Sequence, residues 1–464
     1  MSAPWKLAGV LALVLATSVV TLPAAPADGA GPTTVPANPT FTKDVLPIFQ
    51  KSCQACHRPD QMAPFSLLTY EDARPWSRSI KQKVETRYMP PWHLDRSVGE
   101  YDPDPSLSDV EIGIISKWVD NGSPKGDPKD APPPVVFPPA NSWVFDEPPD
   151  LIVTSSGYDV PRSGMDLYPS VTVPSGLTED RYIKWMQVMP ENPKVVHHVL
   201  VYTIQDAQSV GQVQRAAGAA ARGGRNAGNA AAAAGSGQPQ TSLLIEYARG
   251  NDGDIFREGS AKMLQAGSQI RFSFHYHPNG ETAVPGEKTR IGIKFFPKGY
   301  EPKHLIVTTG ISSQETLVIP PNESNARSDA FFRLEKPARL VSFQPHMHYR
   351  GKRQTLEAIL PSGQVQLLTD VNRFTWLWQI AYPYKDEPAL PAGTVLHMTA
   401  YHDNSVGNKE NPDPNAFVGW GSRTVDEMNI GWLDFYYVSD QEYADWQQKN
   451  APRGRNANTQ QQQQ

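Results

Sequence analysis

Cys53-Gln54-Ala55-Cys56-His57 sets two thiols and an imidazole within five residues. This is C-x-x-C-H, the spacing of covalent c-type haem attachment. The thiols bond the porphyrin vinyl groups, and the adjacent imidazole becomes an axial iron ligand. A redox dithiol would have no need of His57. A zinc site would want more thiolates than the two cysteines of the chain supply. A soft thioether suits the sixth position of an electron-transfer haem. Met89, in Tyr88-Met89-Pro90-Pro91-Trp92, is the preferred candidate, with Met62 and His93 as alternatives.

Imidazoles form the second constellation. Eight of the eleven histidines fall at expected strand positions in the later chain: His197, His198, His275, His277, His346, His348, His397 and His402. Residues i and i+2 of a strand share a face, so His275/His277 and His346/His348 can each chelate one metal. His197 and His198 are adjacent, and they can share a metal only at a strand end or a bulge. Several imidazoles without cysteine or carboxylate suit copper, zinc or nickel, and a methionine ligand would select copper. His277, His397 and His402 read as supporting or surface histidines.

The elements that must position these groups are legible in outline. Thr42 is placed to cap a helix carrying Val45, Leu46, Ile48 and Phe49 into the CQACH run. A second helix spans 108–121, with Ser108 and Glu111 at capping-box spacing, an Ile112/Ile115/Trp118/Val119 stripe, and Gly122 as its stop. Residues 41–125 thus read as a small all-α haem domain, followed by a Pro-rich linker over 126–149. Beyond it lie the β-rich runs 195–203, 269–277, 289–297, 338–349, 394–402 and 430–438. They predict two all-β sandwich domains, 150–318 and 319–445. Residues 207–240 read as a low-complexity insertion, and 446–464 as a disordered glutamine-rich tail.

The 464-residue chain exceeds the size of one core. Its net charge of −5 comes without a basic stripe and gives nucleic acid no footing. Lys6, the apolar run 8–22 and Ala25-Pro26-Ala27 read as a cleaved export signal over 1–27, with a polar linker over 28–40. The mature chain is therefore expected to be soluble and periplasmic or extracellular.

The region 150–440 resembles the copper type II, ascorbate-dependent monooxygenases, the family of the peptidylglycine α-hydroxylating and dopamine β-monooxygenases. Four ordered motifs carry the likeness: Val196-His197-His198-Val199-Leu200, Phe274-His275-Tyr276, Pro345-His346-Met347-His348 and Asp426-Glu427-Met428-Asn429. The resemblance implies two consecutive jelly-roll-like domains holding two coppers across a solvent-filled cleft. His197, His198 and His275 would hold an electron-transfer copper. His346, His348 and Met428 would hold the copper that activates O2 to hydroxylate a substrate C–H bond. The family's disulfides are absent. At the positions where amidating members hold a peptide carboxylate, this chain has Gln344, Ile430 and Trp432, which argues against a glycine-extended peptide and for a more apolar small organic substrate. The expectation is an exported monooxygenase with one covalent haem c and two coppers. The haem would pass single electrons to the His197/His198/His275 copper, and an ascorbate-like reductant or another cytochrome would act as external donor. The competing expectation is a haem–copper electron-transfer or reductase protein without hydroxylase activity.

Overall fold

The computed structural model describes residues 32–450 apart from 60, 62, 138, 140, 141, 206–239, 249–252 and 315. The expected export signal, Met62, nearly all of the low-complexity insertion and the glutamine run lie outside the described residues. The rest is mostly β-sheet with few helices. No helix among the described residues is long and apolar enough to cross a membrane.

The first helical turn covers Phe41–Val45 and runs into the α-helix Leu46–Ser52. Its cap lies two residues earlier than expected: the Thr40 N–H donates to Asp44 at 2.7 Å. Thr42 is instead buried, with its hydroxyl on the Lys125 carbonyl. The helix Asp109–Asp120 has the full capping box between Ser108 and Glu111. Ile114 rather than Ile112 is buried with Ile115 and Trp118, because Val45, Phe49 and Trp118 share one small core that reaches that face.

After this core the chain does not stay with the helices. Trp92, Leu94 and Tyr101 are buried in the core of the second β unit, and Trp92 and Tyr101 meet Tyr382 edge-on. The Asp95 N–H donates to Asp370 O, and the Asp102 N–H to Pro383 O. The helical segment is therefore clamped to the last third of the chain rather than tethered only by a linker. The linker also docks at its far end: Phe145 lies 4.8 Å from Trp185 by ring centroids.

The first β unit has two facing sheets over one apolar core. One sheet runs Leu151–Thr154, Thr289–Phe295, Arg181–Pro190, Ser260–Leu264, His304–Leu305, and Gly253–Ile255 also pairs with Arg181–Pro190. The other runs Ser170–Pro174, Gln269–Tyr276, Val196–Gln205, Gln240–Ala248. Gln240 thus opens a strand instead of closing the insertion. The second unit repeats the plan. One sheet holds Val307–Ser312, Ile430–Tyr437, Ala338–His346 and Tyr382–Pro383; the other holds Ala326–Arg333, Val395–His402, Gly351–Ile359 and Val365–Val371. The changeover falls near Ile306, not at 318. Val307–Ser312 already pairs along Ile430–Tyr437, so it belongs to the second unit.

The described residues continue past 446 in helix to Asn450. A helix spans Asp440–Asn450, and its first turn is held by reciprocal Ser439–Glu442 hydrogen bonds. Lys303 and His304 face Glu442. Burial pushes the Glu442 carboxyl upward, but the Lys303 and Ser439 hydrogen bonds outweigh it and hold the group down at about 2. A folded-state value below the ordinary 4.5 gives stability that is present above about pH 4.5 and lost as pH falls toward 2. Glu442→Gln should therefore lower the melting temperature at pH 7 and leave it unchanged near pH 2, by thermal denaturation at the two pH values.

Candidate metal centre

The two central histidine strands lie side by side, with His198 opposite His275. The register shifts between Val196 and His198. This irregularity lets the adjacent His197 and His198 turn to one side, as a bulge does. Their Nδ1 atoms approach to 3.2 Å. One ligand atom from each of His197, His198 and His275 fits within 4.8 Å of the others. His275 Nε2 is held at 2.8 Å by Asp166, so its Nδ1, buried and without a hydrogen-bond partner, is the nitrogen that faces the cluster. An orphaned imidazole nitrogen facing two others is what a metal would satisfy.

His277 does not join this set. The strand ends at Tyr276, and His277 is exposed, with its Nδ1 on the other Asp166 oxygen at 2.8 Å. Asp166 therefore holds both members of the expected pair but directs only His275 inward. Burial pushes Asp166 up, yet the hydrogen bonds from His275 and His277 keep its carboxyl below the usual range. Tyr168 stacks on the His275 ring at 4.8 Å and accepts a hydrogen bond from Thr424 N of the second unit.

The second unit brings His346 and His348 to 5.5 Å by ring centroids. His348 Nδ1 meets the Asp426 carbonyl at 3.2 Å, which leaves Nε2 for a metal. His346 ends its strand opposite Ile430, two residues after Met428. Burial, reinforced by the neighbouring His346 ring, pushes His348 down to about 3. Burial, followed by the charge of His275, His197, His346 and His348, pushes His198 well below its ordinary value. Both imidazoles are neutral at physiological pH, the form that binds metal.

The two histidine sets are not parted by a wide cleft. The His198 and His346 rings lie 5.9 Å apart, so the chain has one imidazole cluster where the β units meet. Glu246 of the first unit accepts from Gln344 Nε2 at 2.7 Å and stands 3.7 Å from His346 Nδ1. Trp376 of the second unit stacks on His197 at 4.7 Å. Beside it opens a cavity of about 440 Å³ lined by Lys194, His197, His277, Tyr349, Trp376 and Lys409. Ile430 and Trp432 pair directly with His346 and Gln344, and so share their face of the sheet.

His397 and His402 lie apart from the cluster. His397 sits between Asp329 and Glu357 and stacks on Phe331. His402 is fully buried, with Nε2 3.2 Å from the Met428 carbonyl. At the other end of the chain, the Cys53–His57 turn follows the first helix and is closed by the His57 N–H on Cys53 O at 2.9 Å. Cys53 and Cys56 are not joined in a disulfide. Burial pushes Cys53 up to about 12, so it is no ready thiolate. His57 Nδ1 lies 3.1 Å from the Phe65 carbonyl, which leaves Nε2 as the nitrogen an iron could take. Met89 is half-buried, with its N–H on Lys83 O. His93 is buried between Trp92 and Leu94, against the second β unit.

Sequence reasoning missed Asp166, Glu246 and Trp376, which lie in no recognisable motif. Glu427 carried one signal, an acid beside the candidate ligand Met428. No family model matches the chain, and no curated protein matches it. Among solved structures, the major capsid protein P2 of Bacteriophage PM2 is 8% identical over 63% of this chain and 99% of its own, with a TM-score of 0.22. PNGF-II is 10% identical over 62% and 66%, with a TM-score of 0.26. Allantoicase is 10% identical over 53% and 79%, with a TM-score of 0.16. Likenesses this slight carry no conclusion about this chain.

Replacing Asp166 with Asn removes the charge that orients His275. Metal affinity of the His197/His198/His275 set should fall about 10–100-fold, as read by competition titration of the full chain against a copper chelator.

Proposed function

We propose that the chain is an exported haem- and copper-containing monooxygenase. In this reading it has a cytochrome c-like domain and two jelly-roll-like domains of the copper type II, ascorbate-dependent type. The observation that carries the reading is the single cluster of His197, His198, His275, His346 and His348, all buried but the half-buried His198, two of them held neutral, at the junction of the two β units. Bound there, two coppers would supply single-electron storage and O2 activation, and a haem on Cys53, Cys56 and His57 would supply electrons one at a time from an external donor.

The chain's own residues then have distinct tasks. His197, His198 and His275 present nitrogens to one metal, with Asp166 fixing the His275 ring. His346 and His348 present nitrogens to the other, and Met428 adds a thioether that favours copper. The cavity beside His197 is of the size that takes a small organic molecule. Gln344 is committed to Glu246 and the Gln379 carbonyl. It offers no cation to a substrate carboxylate, which speaks against a peptide acid.

The 5.9 Å approach of His198 and His346 also favours a second reading, an oxygen- or nitrogen-oxide-reducing haem–copper protein in which the two metals act as a pair. Elemental analysis with EPR of the oxidised protein should find one low-spin haem and two type II coppers; one copper or none would sink the monooxygenase. Met428→His separates the readings, since it should abolish product formation in a hydroxylase and be tolerated in a reductase. With copper loaded, air should reoxidise the reduced haem faster in the wild type than in His197→Ala, followed by the visible haem bands.

A further inference from the structure

Two of the proposed metal ligands, His348 and Met428, lie where the sheet no longer dictates backbone position. His348 follows the end of the strand Ala338–His346, and Met428 precedes the start of Ile430–Tyr437. A ladder of hydrogen bonds therefore fixes neither. One buried carboxylate holds both. Glu427 is completely buried. Its Oε2 accepts the His348 N–H at 2.9 Å and the Met428 N–H at 3.3 Å, while Oε1 accepts the Arg350 N–H at 2.6 Å.

A buried carboxylate is costly unless it is hydrogen-bonded and compensated. Arg350, itself buried, lies close enough to interact electrostatically with Glu427 and is pinned by Asn404 at 2.8 Å and by the Val425 carbonyl at 2.9 Å. The methionine is also held from its other sides. His402 Nε2 donates to the Met428 carbonyl at 3.2 Å. Asn429, fully buried, donates to Ser328 Oγ at 2.6 Å and accepts from the Ser313 N–H. The Met428 backbone is thus fixed at its N–H, at its C=O and through its neighbour, and the same carboxylate fixes His348. A thioether is a weak ligand on a flexible side chain, so its presence in a ligand set depends on where the backbone puts it.

We infer that Glu427, assisted by His402, is the positioning device that brings the Met428 sulfur and the His348 Nε2 into one metal-ligand set. Neither residue touches substrate or metal. The inference rests on the proposed copper site, and the test separates the two. Full-length protein loaded with Cu(I) is examined by copper K-edge X-ray absorption. The wild type should show about one sulfur scatterer per two coppers. In Glu427→Gln one acceptor oxygen becomes a donor facing a backbone N–H. The sulfur contribution should fall to less than about half, the imidazole contribution of His348 should weaken with it, both coppers should be retained, and O2 consumption should fall about 10–100-fold. His402→Ala should likewise lose sulfur, and His402→Gln, which restores an N–H donor, should recover it. Should Glu427→Gln fail to fold, the His402 pair decides: sulfur lost with alanine and regained with glutamine upholds the inference. Equal sulfur scattering in the wild type and these variants overturns it. A wild type without copper–sulfur scattering overturns the copper assignment beneath it instead.

Discussion

The molecule turns on the burial of uncharged imidazoles where its two β units meet. Taking a histidine out of water disfavours its cation, and crowding several together disfavours it further. His198 shows both effects, being half-buried with four other imidazoles close by. Buried imidazoles need partners for their nitrogens, and the protein supplies them for one nitrogen per ring at His275, through Asp166, and at His348, through Asp426 O. The second nitrogen of His275, Nδ1, is left buried without a hydrogen-bond partner, and that of His348 is left outside its bond to Asp426. Among the first three rings, one ligand atom each from His197, His198 and His275 converges within 4.8 Å, the arrangement a metal would satisfy.

That centre also explains how the units stay in register. The cluster is shared: His198 approaches His346, Trp376 lies on His197, Tyr168 meets Thr424, and Gln344 reaches Glu246. The buried ion pair of Lys262 with Asp434, at 3.0 Å, joins the same units away from the site. Such contacts are directional, so a small slip would break several together. With Cys53 and Cys56 as the only cysteines, both in one turn, no disulfide can link the units, and the alignment rests on these contacts and on apolar burial.

The strands that carry the histidines were legible as short β-rich runs, several alternating apolar and polar residues, set off by segments rich in Pro, Gly and Asn. So was the bulge at His197, since two adjacent histidines cannot otherwise share a ligand. Three things were not. The inward turn of His275 and outward turn of His277 depend on the strand ending at Tyr276 and on Asp166, which sits a hundred residues away in a loop without periodicity. The docking of Trp92, Leu94 and Tyr101 was hidden because a loop of prolines and aromatics has no period to read. The cap at Thr40 rather than Thr42 was a choice between two threonines that only tertiary packing against Lys125 decides.

The docking of that loop bears on how the ends of the chain cooperate. A haem domain tethered by a flexible linker would sample many distances from the cluster, and electron exchange would depend on rare encounters. Here the segment directly after Met89 is buried among Tyr382, Tyr384 and Phe374. Phe374 lies two residues before Trp376, the ring stacked on His197. The Cys53–His57 turn packs with the small core of the helices, and the segment after Met89 anchors that end of the chain in the separate core beside the histidine cluster. In such an arrangement the separation between the two ends is set by packing rather than by a linker, and a change in the buried aromatics would alter it without touching Cys53, Cys56, His57 or any histidine of the cluster.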